Sequence, residues 1–286
     1  MDDSPKLYRF FSDNLDNFTA LSSSYLWFSN VEAFNDPFEG CISDLSYYVS
    51  ADEYCDKKFI KLFKNSSAFS FLNSEEKEKM LLDIWSKGNS SKVEFKRSQL
   101  EVFEKAHKNT VSTFLQEYRW CCFSQPNPEI KSPLSSRLMW SHYANGLRGF
   151  LVEFDKEELI NSLDHHYQGD VLKSEMIYDD LQPMNFFDDL AELVENNSPT
   201  LGKLLSLKSN DWRYEAEFRI GTKNSIVNYN PKVITRIIIG EKMTQRCKDL
   251  ILSIIRGRPE LNDVLIEEAY IDRYEFTIKT RSMTNS

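Results

Sequence analysis

Several recognisable signals of enzyme class and cellular location are absent from this 286-residue sequence. It contains no P-loop, no glycine motif of dinucleotide-binding folds, no nucleophile elbow of serine hydrolases and no zincin motif. The sequence therefore gives no support for any of these four classes of protein. No apolar run approaches the roughly 18 residues that a membrane span needs. The first residues are acidic and polar, unlike a secretory signal. We therefore expect a cytoplasmic protein that has no membrane partner.

Cysteines are also few, and the 44 acidic side chains outnumber the 35 Lys and Arg side chains. The five cysteines form no spaced framework, which is typical of a reducing compartment. Cys121, Cys122 and His142 lack the Cys-x-x-Cys pairing of zinc sites, so we predict no metal site. The net charge of −9 argues against a basic surface that binds the nucleic-acid backbone.

The residues that are present indicate a globular fold. Hydrophobic residues make up 41% of the chain and charged residues 28%, as in soluble proteins. Segments rich in β-branched and aromatic residues outnumber what a parallel βαβ repeat would give, and the helical segments come in clusters. The predicted strands are 7–11, 25–29, 119–124, 149–155, 171–173, 212–220, 233–240 and 269–272. The predicted helices outside the long helical region are 13–21, 138–144, 186–195 and 244–256.

These patterns predict the α+β class, with a mixed, mainly antiparallel sheet as the core and helical insertions. We expect one domain over residues 1–286, because its length lies near the upper limit for a single core. Residues 51–118 have helical periodicity and are predicted to form a helical insertion or subdomain, with Ser74 as a helix cap. Residues 156–211 are acidic, aromatic and without clear period, and are predicted to be an irregular insertion.

The segment Trp212–Ile220 carries the densest group of candidate functional residues. If it forms a strand, side-chain alternation places Glu215, Glu217 and Arg219 on one face. Like charges two residues apart repel unless a cation lies beside them, and Arg219 is placed to be that cation. A solvated strand face with a local ion pair would show the same pattern.

Two further segments contain candidate functional residues. Asn35, Asp36 and Pro37 form a turn signal after the second strand, and loops in such positions frequently carry binding residues. His142 lies on a short helix that ends at Asn145-Gly146. A lone histidine in that position is also common at the edge of a core.

Five blocks of sequence together resemble the bacterial family catalogued as domain of unknown function 2971. They are LWFS (26–29), FNDPFE (34–39), CFS (122–124), MWSHYA (139–144) and YEAEFR (214–219). The resemblance extends in order to Arg219. It implies which residues form the site, but it supplies no reaction.

A second set of features is similar to the mono-ADP-ribosyltransferase superfamily. Those proteins have a basic or polar residue on an early strand, an aromatic residue and a serine or threonine on the next, and Glu-x-Glu on a late strand. Arg9, Trp27 to Ser29, and Glu215 to Glu217 follow this order. The resemblance implies an ADP-ribosyltransferase-like fold that uses NAD as its substrate.

The same resemblance implies roles for individual side chains. Glu217 would stabilise an oxocarbenium-like ribose centre, and Glu215 would orient or deprotonate the acceptor. Arg9 or Arg219 would hold the pyrophosphate, and Trp27 or Tyr143 would stack on the nicotinamide. The expected catalytic residues are Glu217, Glu215 and His142, and the expected NAD-binding residues are Tyr8, Arg9, Trp27, Ser29, Asn35, Asp36, Tyr143 and Arg219.

The expected function is therefore that of an NAD-consuming enzyme, either an ADP-ribosyltransferase acting on a protein or nucleic-acid acceptor or an NAD glycohydrolase. Such an enzyme would act as a bacterial toxin or anti-phage effector, with a toxin–antitoxin or defence-operon partner. One alternative is a magnesium-dependent nuclease or phosphodiesterase that uses Asp36, Glu39, Glu215 and Glu217 as ligands. Another is a sensor module that binds a nucleotide without turnover.

Overall fold

A computed structural model of the chain describes residues 4–36, 38, 50–66, 69–127, 132–167, 171–180, 186–187 and 206–283. The chain divides into two compact units. The first, which we call the sheet unit, comprises residues 1–30, 118–179 and 208–286. The second, the helical unit, comprises residues 31–117 and 180–207.

The described strands are β1 (Lys6–Phe11), β2 (Tyr25–Trp27), β3 (Arg119–Ser124), β4 (Phe150–Asp155), β5 (Leu172–Glu175), β6 (Ile177–Asp179), β7 (Leu207–Ser209), β8 (Glu217–Thr222), β9 (Ile226–Asn228), β10 (Ile234–Gly240), β11 (Leu265–Asp272) and β12 (Thr277–Ser282). The described α-helices are α1 (Leu15–Ser23), α2 (Asp56–Asn65), α3 (Ser74–Ser86), α4 (Asn89–Glu117), α5 (Arg137–His142), α6 (Lys156–Tyr167) and α7 (Gln245–Arg256). Short 3-10 helices include Asn210–Glu215.

Eight strands form one sheet in the order β12-β11-β10-β4-β1-β3-β8-β5. Strands β10 and β11 pair in parallel, and the other neighbours in this sheet pair antiparallel. Two small ribbons, β2 with β9 and β6 with β7, lie outside it. The prediction of a mainly antiparallel sheet combined with helices is confirmed.

The two faces of the large sheet are covered differently. On the face that we call the α6 face, α1, α6 and α7 pack on apolar residues such as Leu7 and Cys121. On the opposite face, the α5 face, Trp140 of α5 packs with Tyr8. Tyr8, Ser124 and Glu217 are paired across β1, β3 and β8. Directly paired residues point to the same side of a sheet, so Glu217 lies on the α5 face.

The helical unit has a separate, mainly aromatic core. Phe59 of α2 packs against Phe63 and Phe95, with ring centroids 6.2 and 5.9 Å apart. The buried Lys96 donates to the Tyr54 carbonyl at 2.6 Å and to Asp56 at 3.0 Å. Its charge is therefore compensated inside this core.

The prediction of one strand over Trp212–Ile220 is wrong. Residues Asn210–Glu215 form a 3-10 helix, in which the Ser209 hydroxyl caps the first turn by accepting from the Asp211 amide at 3.3 Å. Ala216 adopts a left-handed φ of 44°, and β8 begins at the next residue. Glu215 therefore reaches its neighbours from the helix and not from the strand.

The segment 156–211, expected to be an irregular insertion with a possible strand at 171–173, has more regular structure among its described residues than the sequence indicated. It contains α6, β5, β6 and β7. Leu159, Ile160 and Leu163 form the buried stripe of α6, a helical spacing that the surrounding acidic residues obscure. The predicted helix 186–195 lies outside the described residues except for residues 186–187.

Smaller corrections concern the ends of elements. Asn73, and not Ser74, caps α3, and the Glu76 side chain returns a hydrogen bond to its amide as a capping box. Strand β2 ends at Trp27. The final predicted strand begins earlier, at Leu265, and is followed by the unpredicted edge strand β12, whose polar sequence TIKTRS lacks an apolar strand signal. Among the helices of the described residues, none is both long and apolar enough to cross a membrane.

Candidate functional site

Four charged side chains are buried together on the α5 face at the start of β8. Lys208, Glu215, Glu217 and Arg219 each expose only 4–5% of their surface. We call this group the buried charge cluster. Burial of a charge is costly unless it is paired and hydrogen-bonded, so four charges in one place need a specific arrangement.

The Lys208 ammonium lies between the two carboxylates. Its Nζ atom donates to Glu215 Oε2 at 2.5 Å and to Glu217 Oε2 at 2.7 Å. Arg219 Nε donates to Glu217 Oε1 at 2.6 Å, and Arg219 Nη2 donates to Glu217 Oε2 at 3.1 Å. Both oxygens of Glu217 therefore accept hydrogen bonds from cations, and Glu215 accepts one from Lys208.

Neutral groups complete the surroundings of both carboxylates. The Tyr143 hydroxyl, just after α5, donates to Glu215 Oε1. The Tyr178 hydroxyl accepts from the backbone amide of Glu217 at 2.8 Å. Tyr178 is on β6 and Lys208 is on β7, so the small ribbon formed by these strands brings both side chains to the cluster.

The environments of the two glutamates move their pKa values in opposite directions. Burial raises the pKa of both carboxyl groups. At Glu217 the adjacent Arg219 and Lys208 outweigh burial and lower the pKa to about 2. At Glu215 burial dominates and Glu217 adds repulsion, so its pKa stays raised despite Lys208. One site thus holds a carboxylate that stays ionised beside a carboxyl group that takes up a proton more readily.

Aromatic rings form a rim next to the cluster. The ring centroids of Trp212 and Tyr214 are 6.1 Å apart, and those of Tyr214 and His142 are 6.2 Å apart. Tyr143 continues this row, with its ring 6.4 Å from His142. Lys208 Nζ lies 5.2 Å from the centre of the Trp212 ring. The rim combines flat apolar surfaces with polar tips, which suits a planar ligand.

Four of the residues expected from the sequence meet at this place. Glu215, Glu217 and Arg219 belong to the buried charge cluster, and Tyr143 bonds to Glu215. His142 is exposed and contacts Tyr143 and Tyr214, so it lies on the rim.

Tyr8 shares the α5 face but belongs to a different polar group. It lies two strands from Glu217, which corresponds to about 10 Å across the sheet. Burial and the neighbouring Glu153 raise the pKa of Tyr8 to about 12. Glu153 in turn accepts from Thr235 at 2.7 Å and pairs with Arg236 at 3.3 Å. Tyr8 therefore lies apart from the two glutamates, and its expected role in NAD binding stays a prediction.

Arg9, expected as an alternative to Arg219 for binding the pyrophosphate, lies on the opposite face of the sheet from Glu217. Arg9 is paired with Val152 and lies on the α6 face, where its Nη1 donates to Cys121 Sγ at 2.7 Å and to the Cys122 carbonyl at 2.8 Å. A shift of one residue along a strand reverses the face of the sheet, and the sequence pattern did not indicate which face each residue takes.

Trp27 and Ser29 also lie away from the glutamates. Ser29 forms a bridge with Trp120, which pairs with Gly221 of β8. Gly221 is four residues from Glu217, or about 13 Å along the strand. Trp27 is 53% exposed on the β2–β9 ribbon. Neither residue therefore lies beside Glu217, and their expected roles in NAD binding stay predictions.

Asn35 and Asp36 belong to the helical unit. The predicted turn is present, because Asp36 Oδ1 accepts from the Phe38 amide at 2.9 Å. Asp36 is buried and Asn35 is exposed. Glu39 lies outside the described residues. That these side chains act together with Glu217 stays a prediction.

Lys208 and Tyr178 are site residues that the sequence did not reveal. Both come from the segment that was predicted to be irregular, and neither belongs to a motif. The one available signal was the need of two neighbouring glutamates for a cation. Arg219 alone met that need in the sequence, whereas the structure adds Lys208, the cation that touches both carboxylates.

A metal would have to compete with these cations. Within the described ranges, no group of three or more His, Cys, Asp or Glu side chains is arranged to hold a metal ion. Both oxygens of Glu217 already accept from Lys208 or Arg219, so a divalent ion at this carboxylate would have to displace them.

Comparison with known proteins gives a match to a family model over part of the chain. Residues 139–220 match the model of the family described as protein of unknown function (DUF2971). The resemblance to this family that the sequence motifs indicated is confirmed over this segment, which contains the buried charge cluster, Tyr143 and Tyr178. No curated protein and no solved structure matches the chain.

Proposed function

We propose that this chain of the DUF2971 family is an NAD-consuming enzyme that cleaves the bond between nicotinamide and ribose. It would act as an ADP-ribosyltransferase, or as an NAD glycohydrolase when water is the acceptor. The observation that carries the proposal is the pair of buried glutamates whose pKa values are shifted in opposite directions. Adjacent carboxyl groups with separated pKa values are the arrangement used to divide acid–base and charge-stabilising roles.

Glu217 is suited to stabilise positive charge. Cleavage of the glycosidic bond develops an oxocarbenium-like centre on the ribose, and a fixed carboxylate lowers the energy of that centre. Arg219 holds Glu217 ionised and in one orientation through two hydrogen bonds. The carboxylate is therefore in place before the substrate reacts.

Glu215 is suited to exchange a proton. Its raised pKa makes it a stronger base than Glu217, so it would take the proton from the acceptor hydroxyl, amine or water. Tyr143 fixes its orientation by donating to Oε1. The rim formed by Trp212, Tyr214 and Tyr143 would bind the flat rings of NAD, a role that the sequence analysis assigned to Trp27 or Tyr143.

The test is the release of nicotinamide from NAD, measured by chromatography with the purified full-length chain and with candidate protein and nucleic-acid acceptors. Glu217→Gln keeps the size of the side chain and removes its charge, and it should lower the rate by about 10²-fold or more. Glu153→Gln is the matched control, because Glu153 is an equally buried glutamate on the same face, outside the buried charge cluster. Its rate should remain that of the wild type.

Intact NAD after incubation with all acceptors would count against the proposal. So would equal rates for Glu217→Gln and the wild type. A toxin or anti-phage role adds an expectation in cells: expression should lower the NAD pool and growth, and Glu217→Gln should not. A toxin–antitoxin or defence-operon partner would then relieve the growth defect.

A nucleotide-sensing module is a second candidate, favoured by one observation. The charges of the buried cluster pair with each other, so the cluster is electrostatically complete without a substrate. A sensor would be stabilised by NAD or a related nucleotide, as a rise in melting temperature, and would release no nicotinamide. The magnesium-dependent nuclease predicts instead nucleic-acid cleavage that a chelator abolishes.

A further inference from the structure

The position of the Lys208 ammonium describes the kind of group that the site accepts. It lies between two carboxylates, with hydrogen bonds of 2.5 and 2.7 Å, and 5.2 Å from the centre of the Trp212 ring. Two anions beside an aromatic face are the chemistry that binds organic cations. Lys208 itself lies on a separate strand, β7, whereas Glu215 ends the 3-10 helix and Glu217 begins β8.

The charge balance limits what can take the place of this ammonium. If Lys208 left and a neutral group entered, Glu215 and Glu217 would lose the cation that contacts both of them in a buried setting, and their repulsion would oppose the exchange. A group that carries its own positive charge would restore the balance. The site therefore favours replacement of the Lys208 ammonium by a ligand that is itself a cation.

Oxidised NAD carries such a group, because the nicotinamide ring is a flat pyridinium cation. It could lie against the aromatic rim while its charge faces the carboxylates. The reduced dinucleotide has a neutral ring of nearly the same shape. This pair of molecules differs in the one property that the site would select.

We propose that the Glu215–Glu217 pair is a receptor for an organic cation, and that Lys208 is its internal occupant, which the pyridinium of the substrate displaces. This inference rests on the proposed function for the identity of the substrate. The cation-binding site itself can be tested without any turnover. Lys208 then sets the affinity of the site by competing with the ligand.

The first experiment uses the full-length chain and two probes, 1-methylnicotinamide, which is a permanent cation, and nicotinamide, which is neutral. Calorimetry should detect binding of the cation and much weaker binding of the neutral ring. Lys208→Met removes the competitor and should tighten binding of 1-methylnicotinamide by about tenfold or more, because the free fraction of the site rises. Lys208→Arg keeps a cation in place and should not tighten it.

Lys156→Met is the matched control. Lys156 is also a largely buried lysine over an aromatic ring, 4.0 Å from the centre of Phe218, but it pairs with the exposed Glu175. Its replacement should leave the affinity for 1-methylnicotinamide unchanged. Near-ultraviolet circular dichroism shows whether each variant is folded.

Equal affinity for the charged and neutral probes in the wild type would overturn the inference, even if Lys208→Met fails to fold. Unchanged affinity in a folded Lys208→Met variant would overturn it as well. Nicotinamide release from NAD is measured separately. If NAD is turned over but the cationic probe is not preferred, the cation-binding site is refuted and the proposed enzyme activity stands. If the cationic probe is preferred but NAD is not turned over, the enzyme activity is refuted and the cation-binding site stands.

Discussion

Replacing Lys208 by methionine would remove the ammonium that separates two buried carboxylates. Each contact, at 2.5 and 2.7 Å, corresponds to a gross attraction of about 6 kcal/mol at an effective dielectric constant of about 20. The cost of burying the lysine offsets much of this. Loss of one partner from a buried ion pair typically costs about 3–5 kcal/mol, and we expect a loss of that size in the free energy of unfolding at neutral pH.

Urea unfolding at 25 °C, followed by tryptophan fluorescence, measures this loss. Four of the five tryptophans lie in the sheet unit, so the signal reports mainly on the unit that contains the cluster. Lys156→Met is again the control. Its partner Glu175 is exposed and 3.5 Å away, so the expected loss is below about 1 kcal/mol.

A second substitution tests whether charge is the cause. Adding Glu215→Gln to Lys208→Met removes the carboxylate that has lost its ion pair with Lys208, whereas Glu217 keeps Arg219, and should recover a substantial part of the lost stability. If Lys208→Met costs less than about 1 kcal/mol, or if the double variant is no more stable than the single one, the described role of Lys208 is refuted.

Three other outcomes are expected. The pKa of Glu217 is lowered from 4.5 to about 2, so its ionisation contributes about 3 kcal/mol to the free energy of unfolding above pH 4.5, and this contribution is lost as the pH falls towards 2. The urea concentration at the unfolding midpoint, measured between pH 2 and 7, should therefore fall less steeply with decreasing pH in Glu217→Gln than in the wild type. Arg9→Met should leave the rate of nicotinamide release unchanged, since Arg9 lies on the α6 face. A lower rate in this variant would instead support its expected role in binding the pyrophosphate. Gly149→Ala should lower the melting temperature sharply, because the added Cβ would lie 2.0 Å from the Phe11 carbonyl oxygen; an unchanged melting temperature would contradict this close approach.

Strands with strong local signals were predictable from the sequence. The segment 119–124 combines aromatic and apolar residues and forms β3 with the predicted ends. The turn at Asn145-Gly146 was predicted from glycine, and both residues have positive φ. These features depend on a few neighbouring residues, so the local sequence contains the information that decides them.

The candidate site was predictable only in part. Glu215, Glu217, Arg219 and Tyr143 were identified from their motifs, and they do meet. The basis given for Glu215 was wrong, since it reaches the site from a 3-10 helix that ends in a left-handed residue. The alternation of side chains between two faces holds for a regular strand. The hydroxyl of Ser209 instead caps a 3-10 helix over Asn210–Glu215, where this alternation does not apply.

By itself, the sequence determined the mainly antiparallel class of the sheet and the pairing of Glu217 with Arg219, because these follow from local periodicity and spacing. Only the tertiary structure decided that Arg9 faces away from the glutamates and that Lys208 lies between them. The first depends on strand register, in which one residue reverses the face. The second depends on the pairing of β6 with β7, which joins segments about 30 residues apart and leaves no pattern along the chain.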